Sequence, residues 1–150
     1  MAQDQLQKFF QEKKEKSKPA DIDWGAKRDA WITAVNDLYR TIEDGYLKAA
    51  KADVEITRRD KVVRENSVGE YHIPELVLGV GDEEVLFSPK GVNIVGAMGR
   101  IDIEGERGEA TVVWQGENRW NIVISRTPIV RLVPLTADSL AEILRGIMRP

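Results

Sequence analysis

The segment richest in chemistry runs from Lys90 to Asp102. Gly91, Gly96 and Gly99 punctuate it, and Lys90, Asn93, Arg100 and Asp102 supply polar and charged side chains. Glycines let successive backbone N–H groups close on an anion, and cations at the two ends would complete such a cradle. Lys90, Asn93, Gly96, Gly99, Arg100 and Asp102 are therefore the candidate ligand-binding residues, for a small ligand or a nucleotide. A phosphate loop leads into a helix, whereas this segment leads into a strand, so its spacing is not that of a P-loop or a dinucleotide fold. The plainer reading is a wide connection in which glycine takes up positive φ.

Other constellations are weaker. His72 is the single histidine and sits between Tyr71 and Ile73 in an alternating stretch. Any Ser–His–Asp arrangement would have to use it, and a two-histidine metal site cannot be built. A surface histidine near a strand end explains it more simply. Asp82, Glu83 and Glu84 are a run of the carboxylates that hard cations favour, but they lack the alternating spacing of a calcium loop. A charged hairpin turn is expected there. Asp102 and Glu104 share a strand face and could work as paired carboxylates, although the solvent side of an alternating strand accounts for them too. Arg58, Arg59, Lys61 and Arg64 are balanced by Asp53, Glu55, Asp60 and Glu65, with no aromatic side chain among them to stack on a base. They read as charges protecting a sheet edge. The chain has no cysteine, which removes thiolate nucleophiles, disulfides and cysteine-ligated zinc. No metal, cofactor or catalytic residue follows from these patterns.

The elements that carry these residues are clearer. Trp24, Trp31, Val35, Leu38, Ile42 and Ala49 fall on one helical stripe, which predicts a long helix over 24–51. Asp21 or Asp23 can cap it, and Gly45 marks a bend or weak point. From residue 53 the apolar period becomes two. Turns at 79–82, 105–108 and 116–118 separate the alternating runs, and a last edge strand is expected over 128–133. Thr136 then caps a short helix whose stripe is Leu140, Ile143, Leu144 and Ile147. The sum is α+β: a long N-terminal helix, an antiparallel meander of about six to eight strands, and a short C-terminal helix. A small barrel closed by the last helix, in the manner of PH-like domains, is the alternative.

The chain divides into a short amphipathic helix and linker over 1–21 and a single α+β domain over 22–150. Its 150 residues suit one domain that needs no disulfide or metal to stand. Leu6, Phe9 and Phe10 form the apolar face of the first helix, joined to the rest through Pro19. That face must be buried somewhere, and a helix in a partner's groove is a standard recognition mode. Trp120, beside a turn, is a further candidate anchor.

Net charge is −3, which gives bulk nucleic-acid binding no support. Charge is nonetheless uneven: residues 1–20 carry five lysines against three acids, and 119–150 carry five arginines against two acids. No secretory signal or membrane span is expected, so the chain reads as soluble and cytoplasmic, with no membrane partner. The leading functional expectation is a non-catalytic interaction module or accessory subunit, with an inhibitor- or immunity-like protein fitting the same features. It would meet another protein, or a second copy of itself, through Leu6, Phe9, Phe10 and Trp120. The alternatives are a ligand or nucleotide binder using the 90–102 segment, and a nucleic-acid accessory protein.

Overall fold

The computed structural model describes residues 2–17, 23–92, 97–125 and 127–150. Helix α1 spans Ala2–Ser17 and α2 spans Trp24–Arg40. Seven strands follow: β1 Glu55–Glu65, β2 Gly69–Val80, β3 Glu83–Gly91, β4 Gly99–Glu104, β5 Glu109–Trp114, β6 Trp120–Ser125 and β7 Arg131–Pro134. They pair in chain order as one antiparallel sheet, and α3, Ala137–Ile147, ends the fold. The architecture is the expected α+β meander. The sheet is not closed, so β1 and β7 are its two edges and the barrel alternative does not hold.

Asp23 caps α2, its carboxylate accepting from the backbone N–H of Ala26 at 3.0 Å. The helix does not run on as a regular α-helix to residue 51. At Thr41 it widens into a π-helical segment, Thr41–Leu47, which contains Gly45. Trp31, Val35, Leu38, Tyr39 and Ile42 are buried against the sheet. On the sheet side the layer is Leu76 and Leu78, then Val85 and Phe87, Ile101 and Ile103, Val112, and Ile122. These residues lie opposite one another in the ladder, as alternation requires.

Two glycines mark where layers meet most closely. A Cβ at Gly99 would overlap the ring of Trp31, and one at Gly105 would overlap the Ile147 carbonyl at the end of α3. Gly99 thus admits the indole into the sheet. Trp31 stacks there near Trp114 and Trp120, with ring centroids 6.0 and 5.8 Å away. Trp114 and Trp120 face each other across β5 and β6. Each such aromatic pair adds about 0.5–1.5 kcal/mol beyond its buried area.

The β1–β2 hairpin departs from strict alternation. Tyr71 and Ile73 lie in the core, and so do Leu76 and Leu78, although residues 73 and 76 belong to opposite faces of a regular strand. The change falls at Pro74 and Glu75, just where β2 stops pairing with β3. Pro74 has no N–H to offer a ladder, and its carbonyl accepts from the Tyr39 hydroxyl at 2.9 Å. Beyond this bend the hairpin turns its other face, with Val63, Tyr71 and Ile73, toward the helix. The last strand begins later than residue 128: β7 has only four residues, a short edge that offers little backbone to a stray chain.

Candidate functional site

The apolar face of α1 is open. Leu6, Phe9 and Phe10 are 56%, 56% and 60% exposed, and the two phenyl rings meet edge to face at 5.6 Å. The spacing i, i+3, i+4 places all three on one side of the helix. By contrast Trp120 is only 7% exposed and belongs to the tryptophan cluster, so a partner would meet little more than its edge. Its place beside a turn suggested an anchor, but its inward position opposite Trp114 takes it into the core.

A groove runs along α2 on the side of β5 and β6. It is a series of three cavities that share residues. The first, about 340 Å3, lies between Trp24, Ala26 and Ala30 on the helix and Met98 and Trp114 opposite. Ala30 and Trp114 also line the second, about 400 Å3, which continues past Thr33 and Ala34. Asp37 and Asn118 pass it on to the third, about 280 Å3, floored by Leu38, Trp120 and Leu135. Ala26, Ala30, Thr33 and Asp37 follow one stripe of α2 that Thr41 continues into the π-helical segment, and their short side chains keep the groove open. Among the described residues its acidic members are Asp29, Asp37 and Glu117, of which Asp29 pairs with Arg28 at 3.0 Å and Asp37 with Arg40 at 3.5 Å, and Lys27 lies over the Trp24 ring at 5.4 Å.

Of the 90–102 candidates, the described ones, Lys90, Gly99, Arg100 and Asp102, line none of the three cavities along α2. Asn93 and Gly96 lie outside the described residues. Gly99 faces the Trp31 ring. Arg100 makes a bidentate pair with Asp102, at 2.7 and 3.1 Å, and Lys90 lies 3.9 Å from Glu104. Asp102 is 6% exposed, so the expected solvent-facing carboxylate pair is corrected. Its charge is held by Arg100, and Thr111 donates to it at 3.3 Å.

Beside these lies an arrangement that sequence reasoning missed. The Lys61 ammonium donates to Ser88 Oγ at 2.8 Å and to the Pro89 carbonyl at 2.7 Å, and Ser88 Oγ donates to Glu75 at 3.0 Å. Desolvation, then the nearby Lys90, lowers the Lys61 pKa. A serine beside a lysine of lowered pKa is the chemistry of an activated nucleophile. Here Ser88 is 3% exposed, and other residues line the groove cavities. The contacts instead serve the fold. Past Phe87, β3 has lost β2 as a ladder partner, and Lys61 ties the diverging hairpin back to it. Glu65 does the same further on, accepting from the Val92 N–H at 3.0 Å and from the Tyr71 hydroxyl at 2.6 Å. The residues involved lie 27 positions apart, so no local signal announces them.

The acidic run at the β2–β3 turn is occupied from within the chain. Glu83 is buried and accepts from the Arg149 backbone N–H at 2.8 Å, while the Arg149 guanidinium reaches Asp82 at 2.8 Å and Glu106 at 2.7 Å. Among the described residues no group of three or more histidine, aspartate or glutamate side chains is arranged to hold a metal. His72 is exposed, and its Nδ1 lies 2.6 Å from Asp60. That hydrogen bond, reinforced by the aspartate charge, raises its pKa above 6.5. The basic residues of β1 are likewise engaged: Arg58 with Glu43 at 3.1 Å and Arg64 with Glu70 at 3.2 Å. Among the described residues no helix is long and apolar enough to cross a membrane.

No protein-family model matches this chain, and no curated protein or solved structure matches it either.

Proposed function

We propose that the protein is a non-catalytic interaction module whose docking element is α1. The observation that carries this reading is the exposure of Leu6, Phe9 and Phe10 together on one face of a described helix. A helix of this length is marginal alone in water, and three large apolar side chains on one stripe make the usual anchors of a helix laid in a groove. The charges that could serve a ligand at 90–102 favour the same reading, because Lys90 and Arg100 already face acids of their own. A cysteine-free chain suits a reducing cytosol, the compartment we propose for it.

The test compares the full chain with a variant carrying Leu6→Ser, Phe9→Ser and Phe10→Ser. Binding to any partner, itself or another protein, should be lost, while the melting temperature of protein dilute enough to be dissociated stays unchanged. At that dilution, a fall in melting temperature of more than a few degrees would mean that α1 packs on its own domain, and the reading would fail.

A further inference from the structure

We propose that the groove along α2 receives α1 of a second copy of this chain, each copy giving its helix and accepting the other's. This rests on the reading of α1 as the docking element and names its partner.

Three features of the molecule point to this occupant. The first is dimension. From Ala26 to Thr41 the groove side of α2 measures about 22 Å, and the 16 residues of α1 measure about 24 Å. The second is chemistry. The groove offers what Leu6, Phe9 and Phe10 need: small side chains at Ala26 and Ala30 that let a helix approach, and Trp24, Met98 and Trp114 as apolar walls. The third is charge. Of the groove's acids, Asp29 pairs with Arg28 at 3.0 Å and Asp37 with Arg40 at 3.5 Å, which leaves Glu117 to meet an incoming helix, and residues 1–20 carry five lysines against three acids. Opposite charge at the rim steers the two surfaces together and disfavours the groove closing on an acidic helix.

A second copy is preferred to the chain's own helix because both surfaces stand open in the single chain. Leu6, Phe9 and Phe10 are more than half exposed, and no described residue fills the groove beside α2. Reciprocal exchange also closes on itself as a two-fold dimer and buries the same pair of surfaces twice. Three anchors on one short helix need that doubling to approach the roughly 1,200–2,000 Å2 of a stable interface.

The chain has no cysteine, so single cysteines report contacts without background. Two full-length variants, Phe9→Cys and Ala30→Cys, are mixed, one of them enlarged by a tag, and treated with a short bis-maleimide cross-linker. Light scattering on the unsubstituted chain gives its mass in parallel. The expected result is a cross-link between the two sizes and a dimeric mass that becomes monomeric when residues 1–18 are removed. Ala30→Arg, which fills the groove and repels lysines without touching α1, should weaken the dimer about tenfold or more. A dimer that survives removal of residues 1–18 overturns the inference. So does a monomer showing no cross-link, which leaves α1 free to dock on a different protein. A third variant carries both Phe9→Cys and Ala30→Cys in one chain; if the protein is monomeric and this chain cross-links within itself, both this inference and the reading of α1 on which it rests are overturned.

Discussion

The first and last helices carry apolar stripes of the same i, i+3, i+4 kind, yet α3 buries its stripe and α1 does not. In α3, Leu140 and Ile147 are buried, and Ile143 and Leu144 pack partly against the same core. The helix is also fixed at both ends. Thr136 accepts from the Ser139 N–H at 3.1 Å while Ser139 Oγ accepts from the Thr136 N–H at 2.7 Å, a reciprocal cap. At the other end the Ile147 carbonyl accepts from the Arg107 N–H at 2.8 Å, and Arg149 is held by the acidic turns. In α1 the described stripe residues Leu6, Phe9 and Phe10 are more than half exposed. An amphipathic stripe therefore foretells burial but not the surface that does the burying.

Substitutions should separate the two helices in order of effect. Leu140→Ala should cost about 2–5 kcal/mol in urea unfolding, as a core truncation does. Glu83→Ala should cost about 1–3 kcal/mol, since it leaves the Arg149 N–H without its acceptor. Thr136→Ala should cost about 1 kcal/mol through the lost cap. The triple serine variant of Leu6, Phe9 and Phe10 should stay within about 0.5 kcal/mol of the parent when measured on dilute, dissociated protein. If it costs as much as Leu140→Ala, α1 belongs to the core and the contrast collapses. The smallest effect lies away from both helices. The His72 titration, followed by NMR, should have its midpoint above 6.5 and move down in Asp60→Asn. A histidine pKa raised by folding stabilises fully below its unfolded value near 6.5, and that contribution fades as the pH rises through the folded pKa.

The comparison also marks what the sequence revealed. The starts of α2 and α3, the strand order and the tight turns follow from local pattern: capping residues at Asp23 and Thr136, period-two runs, and glycine-bearing turns. The α2 groove does not, because its walls combine the small-residue stripe of one helix with Trp114 and Asn118, far away in the chain. The ties at Lys61–Ser88 and Glu83–Arg149 join positions 27 and 66 residues apart, and their acids and bases look like ordinary surface charge until the fold brings them together. In the 90–102 segment the glycines look alike in sequence, and at Gly99 the missing side chain makes room for Trp31, a contact 68 positions away that no local pattern announces.

The tryptophans have a consequence for how the molecule can be watched. Three of the four indoles sit within 6.3 Å of one another at their centroids, so their emission and near-ultraviolet dichroism will couple and report on the interior as a unit. Trp24 stands apart, half-buried beneath Lys27 at the mouth of the groove. Substituting it with phenylalanine would remove the emitter at the groove's mouth and leave the signal of the cluster, two of whose members, Trp114 and Trp120, line the groove as well. The intrinsic light of this protein thus carries unfolding and groove occupancy together, and the difference made by Trp24→Phe isolates the part that comes from the mouth.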